Sequence, residues 1–273
     1  MRPIVARAIS AGLAVFCAGA GAAAAQQPAA RQRGMADSTV VVDGTVALTS
    51  LMSLADGHLR KMADFLEVLA SGEARSGTWS RIRGPLAEVG RHNVPAVLWF
   101  ALPNGSYWTV PEGRAAGNLA SRTYFPKLMA GAPVIGTLVV SRSTGRNVAI
   151  VAVPVRSAGG RVVGALGSSI YLDSLSLRLE AEMDLPNDIV FYAIDATPLG
   201  AVNRDVNLIF TEPLKLGDDL ARAIREMLAH DQGTVSYRFR NKQRTLRYRK
   251  SQVTGWWYAL GVARDAQSRT SSP

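Results

Sequence analysis

Between Leu48 and Leu69 the apolar residues Leu48, Leu51, Met52, Ala55, Leu59, Met62, Leu66 and Leu69 recur at spacings of three, four and seven. At 3.6 residues per turn these positions share one side, so the pattern predicts an amphipathic helix of roughly 25 residues. It would run from Thr45 to Ala70 and end at Ser71-Gly72. The rest of the chain has to cover that stripe.

Beyond the helix the chain has the texture of strands. After a shorter helical piece from Trp79 to Arg91, the runs Ala96 to Leu102 and Ser106 to Val110 flank Pro103-Asn104-Gly105, a turn suited to a hairpin because Asn and Gly tolerate positive φ. Gly113 to Arg122 reads as loop and Tyr124 to Ala130 as one or two helical turns. Gly136 to Ser141, Asn147 to Pro154 and Val162 to Tyr171 read as three more strands, with turns at Ser143 to Arg146 and Ala158 to Gly160. The same order returns in smaller form after a helix from Leu172 to Met183. Ile189 to Asp195 is a strand, Val206 to Phe210 has no assignment, and Leu220, Ile224, Met227 and Leu228 mark a helix started by Asp218-Asp219. Thr234 to Arg240, Arg244 to Lys250 and Trp256 to Val262 are three strands. The fold class is therefore α+β, a long N-terminal helix followed by two antiparallel-sheet modules. The first, with the helix, spans 43–185 and the second 186–263, with a flexible tail at 264–273.

The N-terminus reads as an export signal. Arg2 and Arg7 precede an apolar stretch from Ile9 to Ala20 and a small-residue run from Gly21 to Ala25, the order of a cleavable leader. Cleavage is expected after Ala25, giving a signal at 1–25 and a loose Ala, Gln and Arg-rich linker at 26–42. The stretch is too short and too rich in Ala and Gly for a spanning helix, which needs about 20 strongly apolar residues. Cys17 follows the bulky Phe16, which does not suit a lipidated cysteine. The expected location is periplasmic or secreted, with a soluble mature chain.

Composition narrows the chemistry. The single cysteine, Cys17, lies in the leader, so the mature chain would have no disulfide, thiolate nucleophile or cysteine ligand. Taking Arg2 and Arg7 from 31 basic residues leaves 29 against 21 acidic, a charge of +8. Much of it sits in Tyr237 to Lys250, seven cations in fourteen residues. Aromatic interleaving there could grip single-stranded nucleic acid, but Tyr237, Phe239, Leu246 and Tyr248 alternating with arginines also describe two strands with one wet face. Export favours the second reading and no nucleic-acid partner. Only His58, His92 and His230 are present, none at a metal-ligand spacing, and no phosphate-binding glycine loop occurs. No catalytic residue, metal or cofactor is expected, and the chain reads as a non-enzyme.

One resemblance is specific. The long helix, then Trp99 to Trp108 (WFALPNGSYW), Ser121 to Phe125 (SRTYF), Ser141 to Arg146 (SRSTGR) and Val153-Pro154-Val155 are similar to a Cache domain, the PAS-like extracytoplasmic sensor fold of bacterial receptors. Gly164 to Ile170 resembles its closing strand, and Thr254 to Trp257 the last strand of a membrane-proximal second module. The resemblance covers about residues 43 to 263 and implies a double-Cache arrangement.

It also implies a ligand pocket between the distal sheet and the segment crossing it. Tyr107 and Trp108 would wall it, with Arg122, Tyr124 and Phe125 on the crossing segment, Ser141, Arg142 and Ser143 on the next strand, and Ser169 on the closing strand. An arginine between aromatic rings offers a planar fork for a carboxylate while the rings exclude water. Arg122 could instead cap the short helix or pair with Glu112, Trp108 and Phe125 could be core, and Arg142 could be solvated. Amino-acid-sensing members hold the ligand's ammonium with an acidic residue near the end of the closing strand, where this chain has Ser169. Asp173 lies four residues on and could take that role in another register. The expected ligand is a small organic acid, with a membrane receptor or kinase as partner and the long helix as a docking or homodimer element. The alternative is a non-catalytic scaffold working through the basic strands.

Overall fold

A computed structural model describes residues 30–265. The expected leader at 1–25 lies outside them, as does the tail beyond Asp265. The chain divides into the units Met1–Thr39 and Val40–Pro273, and both sheets belong to the second. No helix among the described residues is long and apolar enough to cross a membrane.

Helix α1 spans Ala30–Ser71. It therefore takes in most of the stretch expected as linker. After α2 (Trp79–Arg91) come β1 (Ala96–Ala101), β2 (Ser106–Thr109), β3 (Gly113–Asn118), the one-turn α3 (Phe125–Met129), β4 (Val134–Val140), β5 (Asn147–Arg156) and β6 (Val162–Tyr171). These six strands form an antiparallel sheet in the order β3-β2-β1-β6-β5-β4. Helix α4 (Leu172–Met183) leads to β7 (Ile189–Ile194), β8 (Gly200–Asn203), α5 (Asp218–Ala229), β9 (Gln232–Phe239), β10 (Lys242–Lys250) and β11 (Trp257–Asp265). Their sheet runs β8-β7-β11-β10-β9.

The long stripe is covered by both sheets at once. Leu51, Leu59, Met62 and Leu66 of α1 share one core with Leu98, Phe100, Val151 and Leu166 of the first sheet and with Phe191, Tyr258 and Leu260 of the second. Each such side chain contributes about 1.5–3 kcal/mol by leaving water. A stripe this long fits because one helix backs two modules. The outer face of the first sheet packs against α3 and the segment before it, through Trp99, Ala101, Tyr107, Ile150, Phe125 and Leu128. The second sheet packs its outer face on α5, through Tyr192, Ile224, Met227, Tyr237, Leu246 and Tyr248. Central strands covered on both sides, such as Ala96–Ala101, are therefore apolar throughout.

Two edge strands depart from expectation. Gly113–Asn118, expected as loop, is β3, held by pairing with β2 although its residues lack an apolar alternation. Gly200–Asn203 forms β8 on the edge of the second sheet. The unassigned Val206 to Phe210 opens with a short 3₁₀ turn at Val206–Leu208.

Candidate ligand-binding site

The crossing segment from Leu119 to α3 closes over the outer face of the first sheet. The hairpin before it turns at Gly105, whose φ is +82° and whose missing Cβ leaves room for the Asn118 side chain and the Ala120 amide. Alternation along β2 sends Tyr107 toward the crossing segment and Trp108 to the opposite face. Trp108 accordingly joins the α1 side, its ring 6.2 Å from Phe100 and 5.9 Å from the Arg114 guanidinium carbon. That corrects the expectation that both residues wall one pocket: neighbours on a strand face opposite ways. Phe125 is buried in the core between α3 and the sheet and does not line the pocket either, because its ring packs beneath the segment.

The other expected residues do meet. Tyr107, Arg122, Tyr124, Ser141, Arg142, Ser143 and Ser169 line one small cavity of about 20 Å³, joined by Trp99, Leu119, Val139 and Ile150. Trp99 was not among the candidates, yet it shapes the site. Its indole lies against Gly167, where any Cβ would fall inside the ring, and its Nε1 donates to Ser169 Oγ at 3.2 Å. The indole and the serine thus close one end of the site.

Arg122 is half-buried. Its Nη2 donates to the Val140 carbonyl at 2.6 Å, while its Nε is buried without a partner. It neither caps α3 nor pairs with Glu112 among the described contacts. Arg142 donates to the Asn118 carbonyl through Nη1 and to Ser121 Oγ at 2.8 Å through Nη2, pinning the crossing segment. Ser141 and Ser143 hydroxyls lie 3.2 Å apart. Burial pushes the Tyr124 hydroxyl up to about 12 and raises that of Tyr107, against the lowering charges of Arg122 and Arg142. Both phenols remain protonated donors at neutral pH.

Among the described residues no carboxylate lines this cavity. Asp173, the alternative ammonium contact, is engaged elsewhere: Arg146 Nη2 reaches both its oxygens at 2.7 and 2.6 Å, with the guanidinium stacked 3.4 Å from the centre of the Tyr171 ring. No group of three or more acidic, histidine or cysteine residues able to hold a metal occurs among the described residues.

Solved structures share this architecture. The ligand-binding domain of the Pseudomonas fluorescens chemoreceptor CtaA in complex with L-isoleucine matches 86% of this chain and 94% of its own, with a TM-score of 0.63 at 14% identity. The corresponding domain of the Campylobacter jejuni chemoreceptor Tlp3 in complex with 4-methylisoleucine matches 83% and 91%, with a TM-score of 0.64 at 13% identity. This chain shares their fold, a double-Cache arrangement. An extracellular ligand binding receptor from Desulfohalobium retbaense has the same fold, with a TM-score of 0.66 at 15% identity over 81% of this chain, which spans 40% of that receptor's length. No family model matches the sequence, and no curated protein is similar to it. The cavity described above lies between the first sheet and the segment crossing it.

Proposed function

We propose that this chain is an exported sensor module that binds a small organic acid in its first module and signals through a membrane receptor or kinase. The observation that carries the reading is the Arg122 guanidinium, with a buried, unpartnered Nε, at a cavity that no carboxylate lines. A buried donor left unpaired costs about 1–3 kcal/mol, which an incoming oxygen would recover. Tyr107, Tyr124, Ser141 and Ser143 would add neutral donors around the same acid. CtaA and Tlp3 are described with aliphatic amino acids bound. An amino acid here would leave its ammonium against Ser169 and the Trp99 indole, with no counter-charge. At about 20 Å³ the cavity is a closed form, so binding requires the crossing segment or Trp99 to move.

A thermal-shift screen of short carboxylates, with L-isoleucine as the amine-bearing comparator, tests this reading. An acid at one hundred times its dissociation constant should stabilise the fold by about 2.7 kcal/mol. The shift should fall in Arg122→Ala, and L-isoleucine should give none. Stabilisation by L-isoleucine alone would replace the organic acid with an amino acid.

The small cavity also favours a second reading, in which the first pocket is vestigial and the chain is a scaffold acting through the outward cations of β9 and β10, such as Arg238 and Arg249. A chain that no carboxylate stabilises would support it. In either reading α1 is the proposed docking or homodimer element, since Phe65 and Val68 remain 39% and 68% exposed although its main stripe is covered. Sedimentation at tens of micromolar should then give about twice the monomer mass, and monomer alone would remove the dimer.

A further inference from the structure

The basic stretch forms the β9–β10 hairpin, turning at Arg240 and Asn241 with positive φ at both. Alternation puts Val235, Tyr237 and Phe239 inward on β9 and Leu246 and Tyr248 inward on β10. Arg244 has the same parity as Leu246 and Tyr248 and stands opposite Tyr237, so this cation enters the side that packs against α5. Other cations of the hairpin find acids: Arg240 at the turn meets Asp205 at 2.8 Å, and Lys250 and Lys242, which share the parity of Arg244 at the two ends of β10, meet Asp231 at 3.6 Å and Asp265 at 3.8 Å. Arg244 has no ion pair among the described residues. Its guanidinium carbon lies 4.8 Å from the centre of the Phe239 ring, and its Nε is buried without a partner.

A cavity of about 30 Å³ lies beside it, lined chiefly by apolar side chains such as Leu220 and Ile224, with Asn203, Thr211 and the phenols of Tyr192 and Tyr237. Among the described residues no acidic side chain lines it. Tyr237 donates to the Tyr192 hydroxyl at 3.4 Å, and Tyr192 in turn donates to the Met227 sulfur at 3.3 Å. A thioether is a weak acceptor, so that proton is available to a better one. The cover is the segment between β8 and α5, which contributes Leu208, Thr211, Pro213 and Leu216. Within it Phe210 sits at φ +63°, a left-handed conformation that is strained for a bulky side chain.

We propose that the second module holds a ligand site of its own, built on Arg244, for a short-chain monocarboxylate such as acetate or propionate. The carboxylate accepts from the Arg244 guanidinium and the Tyr192 hydroxyl, and its alkyl tail lies against Leu220 and Ile224. A guanidinium that bonds the Tyr237 hydroxyl but has no acidic counter-charge, in a largely apolar cavity, favours a monoanion, and the absence of an acid disfavours ligands that carry an amine. The present volume is about that of one water, so the cover from Leu208 to Leu216 opens to admit the acid. This site is separate from the one at Arg122 and does not depend on it.

Saturation-transfer NMR on the full exported chain, with propionate as probe and propionamide as its neutral isostere, tests the proposal. Propionate should give a saturable signal in the Arg122→Ala variant, where the first site is disabled, and propionamide should give none. In an Arg122→Ala, Arg244→Gln double variant, affinity for propionate should fall at least about tenfold, the loss expected for a charge-assisted hydrogen bond. Arg244→Lys keeps the charge without the planar fork, so it should fold normally and bind with intermediate strength even if the glutamine variant unfolds. Absence of a propionate signal in Arg122→Ala, an equal signal from propionamide, or full affinity in both Arg244 variants would each overturn the site.

Discussion

The two modules share one plan, a sheet backed by α1 and covered on its other face by a helix and the segment leading to it, yet they supply a guanidinium to the enclosed space in different ways. In the first, Arg122 comes from the crossing segment, is already tied to the Val140 carbonyl, and faces a space filled by Trp99. In the second, Arg244 comes from a strand and has no ion pair among the described residues, beside a cavity bounded by two phenols and aliphatic side chains. Topology therefore fixes where a pocket can form, while strand parity decides which side chains reach it. Both sheets also bury side chains in the core they share with α1, which couples their stabilities.

The largest test of that comparison cuts the joint between the modules. Trp256, 1% exposed, packs in the shared core and donates its indole N–H to the Gly136 carbonyl at 2.9 Å, joining the last turn of the second module to β4 of the first. Trp256→Ala should cost about 3–5 kcal/mol, as for other buried aromatic truncations. If the modules are stable only as one unit, calorimetry will still show a single transition at lower temperature. Two resolved transitions would show that each module has its own stability.

A smaller effect concerns the tie between α1 and the second sheet. Asp56 on α1 is 9% exposed, accepts from Ser251 Oγ at 2.7 Å and from the Tyr258 hydroxyl at 3.3 Å. Burial raises its pKa and outweighs those two bonds and the charge of Arg60, which lower it. Folding thus favours the protonated carboxyl, so its contribution is present below the usual carboxylate range and is lost as pH rises through the elevated folded value. Relative to Asp56→Asn, which cannot titrate, the wild type should lose melting temperature as pH rises from about 4 toward neutrality. A wild-type advantage that grows with pH would mean that the hydrogen bonds prevail and that the tie strengthens on ionisation.

Much of this was legible in the sequence, and the parts that were not have physical causes. The stripe from Leu48 to Leu69 announced α1, and the alternation of Tyr237, Phe239, Leu246 and Tyr248 announced the hairpin. The same alternation carried the parity of Arg244, which the density of cations around it obscured. Edge strands such as Gly113–Asn118 have little to bury, so pairing with a neighbour rather than composition creates them. Trp99 was hidden for the opposite reason. In Ala96–Ala101 both faces are covered, so apolar residues occupy every position and no period marks which one turns toward the pocket. For Trp108 the period was available, since adjacency to Tyr107 already placed it on the other side.

The smallest expected effect asks whether the first pocket has any acidic wall. Asp173 stands near the end of β6, where the family's ammonium-binding acid would be sought, but Arg146 holds both its oxygens at the surface. Partial burial raises its pKa, yet the hydrogen bonds from Arg146 and from the Ser174 amide prevail and hold it below the usual carboxylate value. Its stabilising contribution is therefore present above that usual value and lost as pH falls through the depressed one. Both side chains are more than 40% exposed, so screening limits the pair to about 0–1 kcal/mol. Asp173→Asn should accordingly lower the melting temperature slightly at neutral pH, and the loss should shrink in acid. It should leave carboxylate binding at Arg122 unchanged. A tightened affinity for acids, or a lost response to L-isoleucine in a chain that had one, would bring this carboxylate into the binding site.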